Sequence, residues 1–231
     1  MKEPVQLKAD DNIDIAGELY PASQPKGWLV LLHMMPATKE SWQEFAECAQ
    51  AAGYEAVAID FRGHGASAKG LEGYKSFSDL EHQLSIRDVG AAWRFLQERG
   101  ATPEKTTLIG ASIGANFALW FLAEHPEMQG GILLSPGNYR GIDSARFARL
   151  LDKRQRVLFV ASRSDTRFAA DNAAQTSYYH DVASQAAKSN LVLYEHAGHG
   201  TDLFHIKGEP DLKKIIINFL DHGTAASTAV R

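Results

Sequence analysis

The sequence predicts an α/β protein built on a mostly parallel sheet. Two observations support this expectation. Short apolar runs rich in β-branched residues recur along the chain, and stretches of helical length alternate with them. Such an alternation produces a parallel sheet with right-handed crossovers and helices on both faces. The run at residues 28–32 is apolar at every position, which is typical of a strand that is buried on both sides.

The first half of the chain is predicted to begin with a hairpin. Strand-like alternation at residues 5–7 and 13–20 flanks the turn-forming residues 10–12, which favours an antiparallel pair. Thr38 is expected to cap the first helix, and Gly53 is expected to end it. The segments that follow the hairpin are, in order, a strand at 28–32, a helix at 39–52, a strand at 55–60, a loop at 61–77 and one long helix at 78–99.

The second half repeats the alternation without a visible linker. Its predicted segments are a strand at 106–111, a helix at 113–124, a strand at 130–135, a helix at 142–153, a strand at 156–162, a helix at 170–188, a strand at 190–196 and a closing helix at 211–220. Ligands of such sheets bind at the carboxyl ends of the strands. Residues that directly follow these strands are therefore the candidates for a site.

The chain is predicted to form a single domain over residues 1–222, followed by a disordered tail at 223–231. Its net charge of −4 speaks against nucleic-acid binding, and no run approaches the roughly 18 apolar residues that would span a bilayer. The first residues contain no apolar signal-like segment, so a cytoplasmic location is expected. The single cysteine, Cys48, excludes an internal disulfide and favours a buried structural thiol.

Metal and dinucleotide sites are not expected. The histidines are scattered, and neither H-E-x-x-H nor a cluster of cysteines and histidines occurs. No G-x-G-x-x-G motif opens a helix after a strand. The sequence therefore predicts no metal and no cofactor.

A candidate nucleophile lies between a predicted strand and a predicted helix, in the G-x-S-x-G motif at residues 110–114. In a nucleophile elbow the serine sits at a tight strand-to-helix turn, and the glycines allow close approach of the neighbouring backbone. Ser112 would then be accessible to substrate, and the amino end of the helix would favour negative charge beside it. The Ile113 N–H is the expected first oxyanion donor. The alternative is a turn whose serine only caps the helix.

A serine nucleophile needs a base, and the base needs an acid that orients it. Asp165 directly follows the strand at 156–162, and His199 directly follows the last strand, so both are expected at the edge where Ser112 emerges. The competing residues are Asp171 and Asp202 for the acid and His196 for the base. His33, His64, Asp60 and Arg62 are expected to brace loops beside the site.

These motifs together resemble the α/β-hydrolase fold superfamily over nearly the whole chain. The resemblance rests on the strand that ends at His33, the loop at 60–67, the elbow, and the order of Ser112, Asp165 and His199. It implies an eight-stranded, mostly parallel sheet with helices on both faces. In this superfamily a cap is commonly inserted between the sixth and seventh strands, but residues 136–155 leave room for little beyond one helix, so no separate cap domain is expected. In size the chain resembles the esterases and the dienelactone-hydrolase-like members of this superfamily.

The resemblance also implies a second oxyanion donor after the first buried strand. The superfamily usually has His-Gly at this position, whereas this chain has Met34 in place of the glycine. By position, Met35 supplies the second N–H, with Met34 as the alternative. The implied activity is cleavage of an ester or thioester of a small-molecule acyl substrate through an acyl-enzyme. A serine peptidase, an acyltransferase and a non-catalytic binding module stay open as alternatives, as does a homo-oligomer.

Overall fold

A computed structural model describes residues 1–167, 171–206 and 211–224 of the chain. Its centre is an eight-stranded sheet with the order β1-β2-β4-β3-β5-β6-β7-β8. The strands are β1 (Glu3–Lys8), β2 (Asp14–Tyr20), β3 (Gly27–Leu32), β4 (Tyr54–Ile59), β5 (Thr106–Ala111), β6 (Gly130–Leu134), β7 (Arg156–Ser162) and β8 (Lys188–Tyr194). The first two strands form an antiparallel hairpin, and β3 to β8 all run parallel. The predicted α/β class and mostly parallel sheet are confirmed.

Helices cover both faces of this sheet. They are α1 (Gln43–Ala51), α2 (Asp79–Gln83), α3 (Ile86–Glu98), α4 (Ile113–Glu124), α5 (Ser144–Arg149), α6 (Asn172–Ala183) and α7 (Leu212–His222). One core packs α3, α4, α5 and α6 against the sheet, through residues such as Leu96, Phe117 and Tyr179. The second core packs α1 and α7 on the opposite face, through Phe45 and Ile216. Strand β3 is buried at every position because both cores contact it.

Two predictions in the first half of the chain were wrong in detail. The Thr38 side chain does not cap a helix but bonds to the side chain of Glu40, and a 3₁₀ turn at Lys39–Trp42 precedes α1. The single long helix predicted at 78–99 is two helices, α2 and α3. At the break, the N–H groups of Ser85 and Asp88 bond to carbonyls three residues back, which tightens the chain into a turn.

Several boundaries in the second half also differ from prediction. Helix α5 is shorter than the predicted 142–153, because Asp143 caps it and accepts from the Arg146 N–H. Helix α6 is capped by Asp171 and ends at Ala183, short of the predicted 188, and the predicted start at 170 lies outside the described residues. Strand β8 is shifted to 188–194 because Lys188 pairs with the first residue of β7. The predicted tail at 223–231 lies outside the described residues from 225 onward, and Gly223 ends α7 with a φ of 75°.

The carboxyl ends of β3 and of β5 to β8 meet at one edge of the sheet and carry the candidate site. Between β6 and β7 the chain forms only α5, so the expectation of no separate cap domain is confirmed. Among the residues that the structure describes, no helix has the length and apolar character to cross a membrane.

Candidate active site

Ser112 occupies a strained turn between β5 and α4. Its φ of 55° and ψ of −121° are unusual for a residue with a side chain. The turn is held by the Ser112 N–H, which donates to the Leu134 carbonyl at 2.8 Å. A Cβ on Gly110 would lie 2.2 Å from the Gly114 carbonyl oxygen, and one on Gly114 would lie 2.3 Å from the carbonyl oxygen of Leu32. Both glycines therefore allow the close approach that an elbow requires.

Asp165 and His199 contact each other at the same edge. The His199 Nδ1 lies 2.6 Å from the Asp165 Oδ2, and both side chains are almost completely buried. Because a carboxylate only accepts hydrogen bonds, it holds the proton on Nδ1 and leaves Nε2 as the basic nitrogen. The His199 Nε2 is buried and has no hydrogen-bond partner among the described residues. A neutral imidazole in this arrangement can accept a proton.

The loop that carries His199 packs directly on the elbow. Gly200 has a φ of 58°, and a Cβ on it would lie 3.3 Å from the Cβ of Ala111, the residue before Ser112. The Gly200 N–H donates to the Ser135 hydroxyl at 3.1 Å, which ties this loop to the end of β6. The loop of the histidine predicted as base thus packs against the strand end that carries the serine predicted as nucleophile.

The competing residues have other contacts. Asp171 caps α6 by accepting from the Ala174 N–H, and Asp202 forms an ion pair with Arg167 at 3.3 Å. His196 is exposed on the turn after β8. The expectation that His196 belongs to the strand end was wrong, since the strand stops at Tyr194.

A cavity of about 410 Å³ opens at Ser112. It is lined by Met35, Ser112, Ile113, Asn138, Tyr139, Arg140 and Gln175. The two residues predicted first as oxyanion donors, Met35 and Ile113, therefore border the same space as the nucleophile. Met34 is buried in the core instead, beside Gly200. This placement favours Met35 over Met34, although the backbone donors themselves stay a prediction.

The loops after β3 and β4 are braced by buried histidines. The His33 Nε2 accepts from the Phe61 N–H at 3.0 Å, and its Nδ1 donates to the Met34 carbonyl at 2.9 Å. Burial lowers the pKa of His33 to about 3, aided by the nearby His64. The His64 Nδ1 lies 3.2 Å from the Arg62 carbonyl. Both histidines thus have the loop contacts expected of bracing residues.

Two buried carboxylates fix the same loops. Asp60 accepts from the N–H groups of Lys39 and Ala66, and it forms an ion pair with the Lys39 ammonium at 2.8 Å. Asp88 accepts from the backbone N–H and the guanidinium of Arg62 at 2.7 to 2.9 Å. Neither Asp60 nor Arg62 lines the cavity at Ser112.

Sequence reasoning missed Tyr139, which lines the cavity at Ser112 and donates its hydroxyl to the Oδ1 of Asn172 at 2.8 Å. Its ring also meets the ring of His199 edge-on, with centroids 6.3 Å apart. The available signal was its position, since the segment 135–140 directly follows β6 at the same sheet edge as Asp165 and His199. A tyrosine there has no motif that marks it.

Comparison with known proteins places this geometry in a family. The model of the family named Serine aminopeptidase, S33, matches residues 23–203. Protein ABHD14A of Danio rerio is 28% identical over 152 residues, which span 64% of this chain and 51% of that protein. Epoxide hydrolase B of Mycobacterium tuberculosis is 32% identical over 114 residues, which span 49% of this chain and 29% of that protein. The chain therefore spans about half the length, or less, of these curated relatives.

Solved structures agree on the fold. An esterase from Pyrococcus furiosus superposes with a TM-score of 0.76 at 19% identity, over 96% of this chain and 91% of the esterase. At this identity the match shows the fold alone. Its extent indicates that nearly the whole chain takes part in that fold.

Proposed function

Since this chain belongs to the family of α/β hydrolases named Serine aminopeptidase, S33, we propose that it is a hydrolase and that it cleaves carboxylic esters or thioesters through an acyl-enzyme. The observation that carries the proposal is the His199–Asp165 contact of 2.6 Å on a loop packed against the strained turn of Ser112. An imidazole that a carboxylate orients, on a loop packed against the turn of a serine, is the arrangement that activates a serine.

Acylation follows from this arrangement. The Ser112 oxygen attacks the carbonyl carbon while its proton passes to the His199 Nε2, and the carbonyl electron pair moves onto the oxygen. The N–H groups of Ile113 and Met35 are proposed to stabilise this oxyanion, helped by the amino end of α4. When the tetrahedral intermediate collapses, the bond to the leaving group breaks, and the leaving alcohol or thiol takes the proton from Nε2.

Deacylation uses the same groups in reverse. Water gives a proton to the His199 Nε2 as its oxygen attacks the acyl carbon, and the bond to Ser112 then breaks. The serine oxygen recovers the proton from Nε2, which releases a carboxylic acid and restores the free enzyme. Asp165 stabilises the imidazolium that forms in each step.

The lining of the cavity favours an ester or thioester over an aminopeptidase substrate. An aminopeptidase must bind a protonated α-amino group, for which a carboxylate in the site is the natural partner. Among the described residues that line the cavity, the charged side chain is that of Arg140, and none is a carboxylate. The volume of about 410 Å³ lies near the lower end of the usual range for ligand sites, roughly 300 to 1,000 Å³. Acyl groups of modest length fit these properties best.

Labelling with a serine-reactive phosphonate tests the proposal. The intact chain should be labelled at Ser112, and Ser112→Ala should not be labelled. A control, Ser184→Ala, removes an exposed hydroxyl whose bond among the described residues is to the Asp181 carbonyl, and it should be labelled like the unchanged chain. Absence of labelling in the unchanged, folded chain would instead support a non-catalytic binding module.

A substrate panel then separates the chemical classes. Esters, thioesters, aminoacyl amides and an epoxide should be compared at equal concentration. The proposal expects turnover of short esters or thioesters to exceed that of the amides and the epoxide. Preference for an aminoacyl amide would move the assignment to a peptidase.

A further inference from the structure

Asn172, the first residue of α6, is a completely buried polar side chain that the proposed reaction steps do not use. Its amide nitrogen lies 3.3 Å from each of two backbone carbonyl oxygens, those of Asp165 and Arg167. Its amide oxygen lies 2.8 Å from the hydroxyl of Tyr139, which lines the cavity at Ser112. One side chain thus joins the loop of the proposed acid to the wall of the cavity.

The hydrogen-bonding capacity of each partner fixes the orientation of this amide. Because carbonyl oxygens only accept, the amide nitrogen must face Asp165 and Arg167, to which its two N–H groups donate. The amide oxygen then accepts the proton of the Tyr139 hydroxyl. Both N–H groups and the oxygen of Asn172 therefore have partners, as a buried amide requires.

The two carbonyls that Asn172 binds belong to the two residues that fix the acid's carboxylate. The Asp165 Oδ2 contacts the His199 Nδ1 at 2.6 Å, and the Asp165 Oδ1 accepts from the Arg167 N–H at 3.2 Å. The Asp165 N–H is held separately, by the Ser162 carbonyl at 3.1 Å. Without Asn172, the turn from Asp165 to Arg167 would lose the side chain that holds both of its carbonyls, and the carboxylate could shift away from the imidazole.

The other partner of Asn172 is held from α4, the helix that begins directly after Ser112. Asn116, buried in α4, donates to the Gly137 carbonyl at 2.8 Å and accepts from the Gly137 N–H at 3.2 Å. A Cβ on Gly137 would lie 2.4 Å from the Tyr139 ring, so this segment packs closely on that ring. A continuous series of contacts therefore connects the helix of the nucleophile to the loop of the acid.

We propose that Asn172 is a positioning residue for the reaction. It holds the loop of Asp165 so that the carboxylate orients His199, and through Tyr139 it fixes that loop relative to the helix that follows Ser112. The inference rests on the proposed function, because it assigns a support to the proposed acid. Asn172 is not one of the described residues that line the cavity, so it acts through Asp165 and not through the substrate.

The first test is Asn172→Leu, which nearly keeps the shape of the side chain and removes its three hydrogen bonds. The kcat for a short ester should fall about 10- to 100-fold, because small displacements of a catalytic group have effects of this size. KM should change little, since the side chain does not line the cavity. The control is Asn218→Leu in α7, which removes an exposed amide that donates to the Thr224 carbonyl and should leave both constants unchanged.

The second test is a double-mutant cycle with Asp165→Asn, measured as the second-order rate of phosphonate labelling at Ser112. With Asp165 present, Asn172→Leu should lower this rate about 10- to 100-fold. With Asp165→Asn, the same substitution should lower it less than about 3-fold, because the carboxylate that Asn172 positions is already gone. A merely structural role would lower the rate equally in both backgrounds.

Tyr139→Phe provides a second variant should Asn172→Leu fold poorly. It removes the hydroxyl that donates to Asn172, and the labelling rate should fall about 3- to 10-fold when Asp165 is present. With Asp165→Asn, the fall should again be largely lost. Equal falls in the two backgrounds would count against the inference here as well.

The outcomes separate this inference from the proposed function. No labelling of the unchanged, folded chain overturns the proposed function and the inference with it. If the unchanged chain is labelled at Ser112, an unchanged rate in folded Asn172→Leu, or an equal loss with and without Asp165, overturns the inference alone. A raised KM with an unchanged kcat would also overturn it, because Asn172 would then act on substrate binding.

Discussion

The loops at the carboxyl edge of the sheet form two groups that use buried polar side chains in different ways. The loops after β3 and β4, at 33–36 and 60–67, hold groups that bond to one another and to neighbouring elements, for example to Lys39 and Asp88. The loops after β6, β7 and β8, at 135–140, 163–167 and 195–200, hold groups that contact one another across loops, and the first of these loops borders the cavity at Ser112. We call them the bracing loops and the reactive loops.

Two histidines show the difference most clearly. His33 in the bracing loops uses both ring nitrogens, one as donor to Met34 and one as acceptor from Phe61. His199 in the reactive loops uses Nδ1 toward Asp165 and leaves Nε2 without a partner among the described residues. An unpartnered nitrogen alone does not mark a base, since the Nε2 of His64 and His82 also lack partners there. What distinguishes His199 is the carboxylate on its other nitrogen and its place beside the elbow.

The largest expected effect is a loss of activity that should occur in the reactive loops but not in the bracing loops. His199→Ala should lower kcat/KM by roughly 10⁵-fold or more with little loss of thermal stability, and adding Ser112→Ala should change little further, because the residues act as a unit. His33→Ala leaves the Phe61 N–H and the Met34 carbonyl unpaired and should lower the free energy of unfolding by about 2 to 4 kcal/mol. Steady-state kinetics and denaturant unfolding of the two variants measure both effects. The reverse pattern would exchange the roles of the two groups.

The next largest effect is a fall in kcat that should distinguish Asp165 from Asp171. Asp165→Asn keeps the shape of the side chain but no longer fixes the proton on the His199 Nδ1, so kcat should fall by roughly 10³- to 10⁴-fold. Asp171→Asn is the matched control, because asparagine caps a helix about as well as aspartate and α6 should persist. Equal loss of activity in both variants would remove Asp165 from the proposed triad.

A pH titration of stability tests the bracing loops. Burial lowers the pKa of His33 to about 3 from its ordinary value of 6.5, so between these values the unfolded chain binds a proton that the folded chain does not. Stability should therefore fall as the pH drops below about 6.5. His33 alone should remove about 2 kcal/mol between pH 7 and pH 5. Burial also lowers the pKa of His64 and, to about 4, that of His82, which adds to the same trend.

The control for this titration is His33→Asn. It should be less stable at pH 7 but should lose less stability on acidification, because one titrating group is gone. Urea unfolding at several pH values measures how steeply the free energy of unfolding changes with pH in each protein. Equal slopes in the two proteins would contradict the assignment of a depressed pKa to His33.

The smallest expected effect is a loss of stability in α2. Gln83 of this helix donates to the carbonyl of Arg140, beside the cavity, at 2.7 Å. Ser78 and Glu81 form a capping box at the start of this helix. Ser78→Ala should lower stability by about 1 kcal/mol and leave kcat unchanged, since the helix lies outside both groups of loops. Thermal unfolding and ester kinetics check this. A large fall in kcat would make α2 part of the site.

Much of the fold was predictable because its signals are local. The apolar runs fixed the strands from β3 to β7 within about one residue, and the elbow followed from one motif with its flanking strand and helix. Asp165 and His199 were predictable as candidates because parallel strands bring the residues after them to one edge. The break between α2 and α3 was not, since a turn at Ser85 has no glycine or proline to mark it.

The contact of Tyr139 could not be predicted from the sequence for a different reason. Its hydroxyl donates to the amide oxygen of Asn172, 33 positions later, and the nitrogen of that amide donates in turn to carbonyls of the loop after β7. Hydrogen bonds between loops depend on three-dimensional packing, and no periodicity or motif encodes them. The same holds for Gly200, whose contact with Ala111 places His199.

The most direct test of the central claim is mass spectrometry of the chain during turnover. An activated short-chain ester should be mixed with excess enzyme and quenched in acid within the first turnover. We expect a mass increase of one acyl group, located on the peptide that contains Ser112 and absent from Ser112→Ala. Ester hydrolysis without any acyl adduct, or with the adduct on another residue, would contradict it.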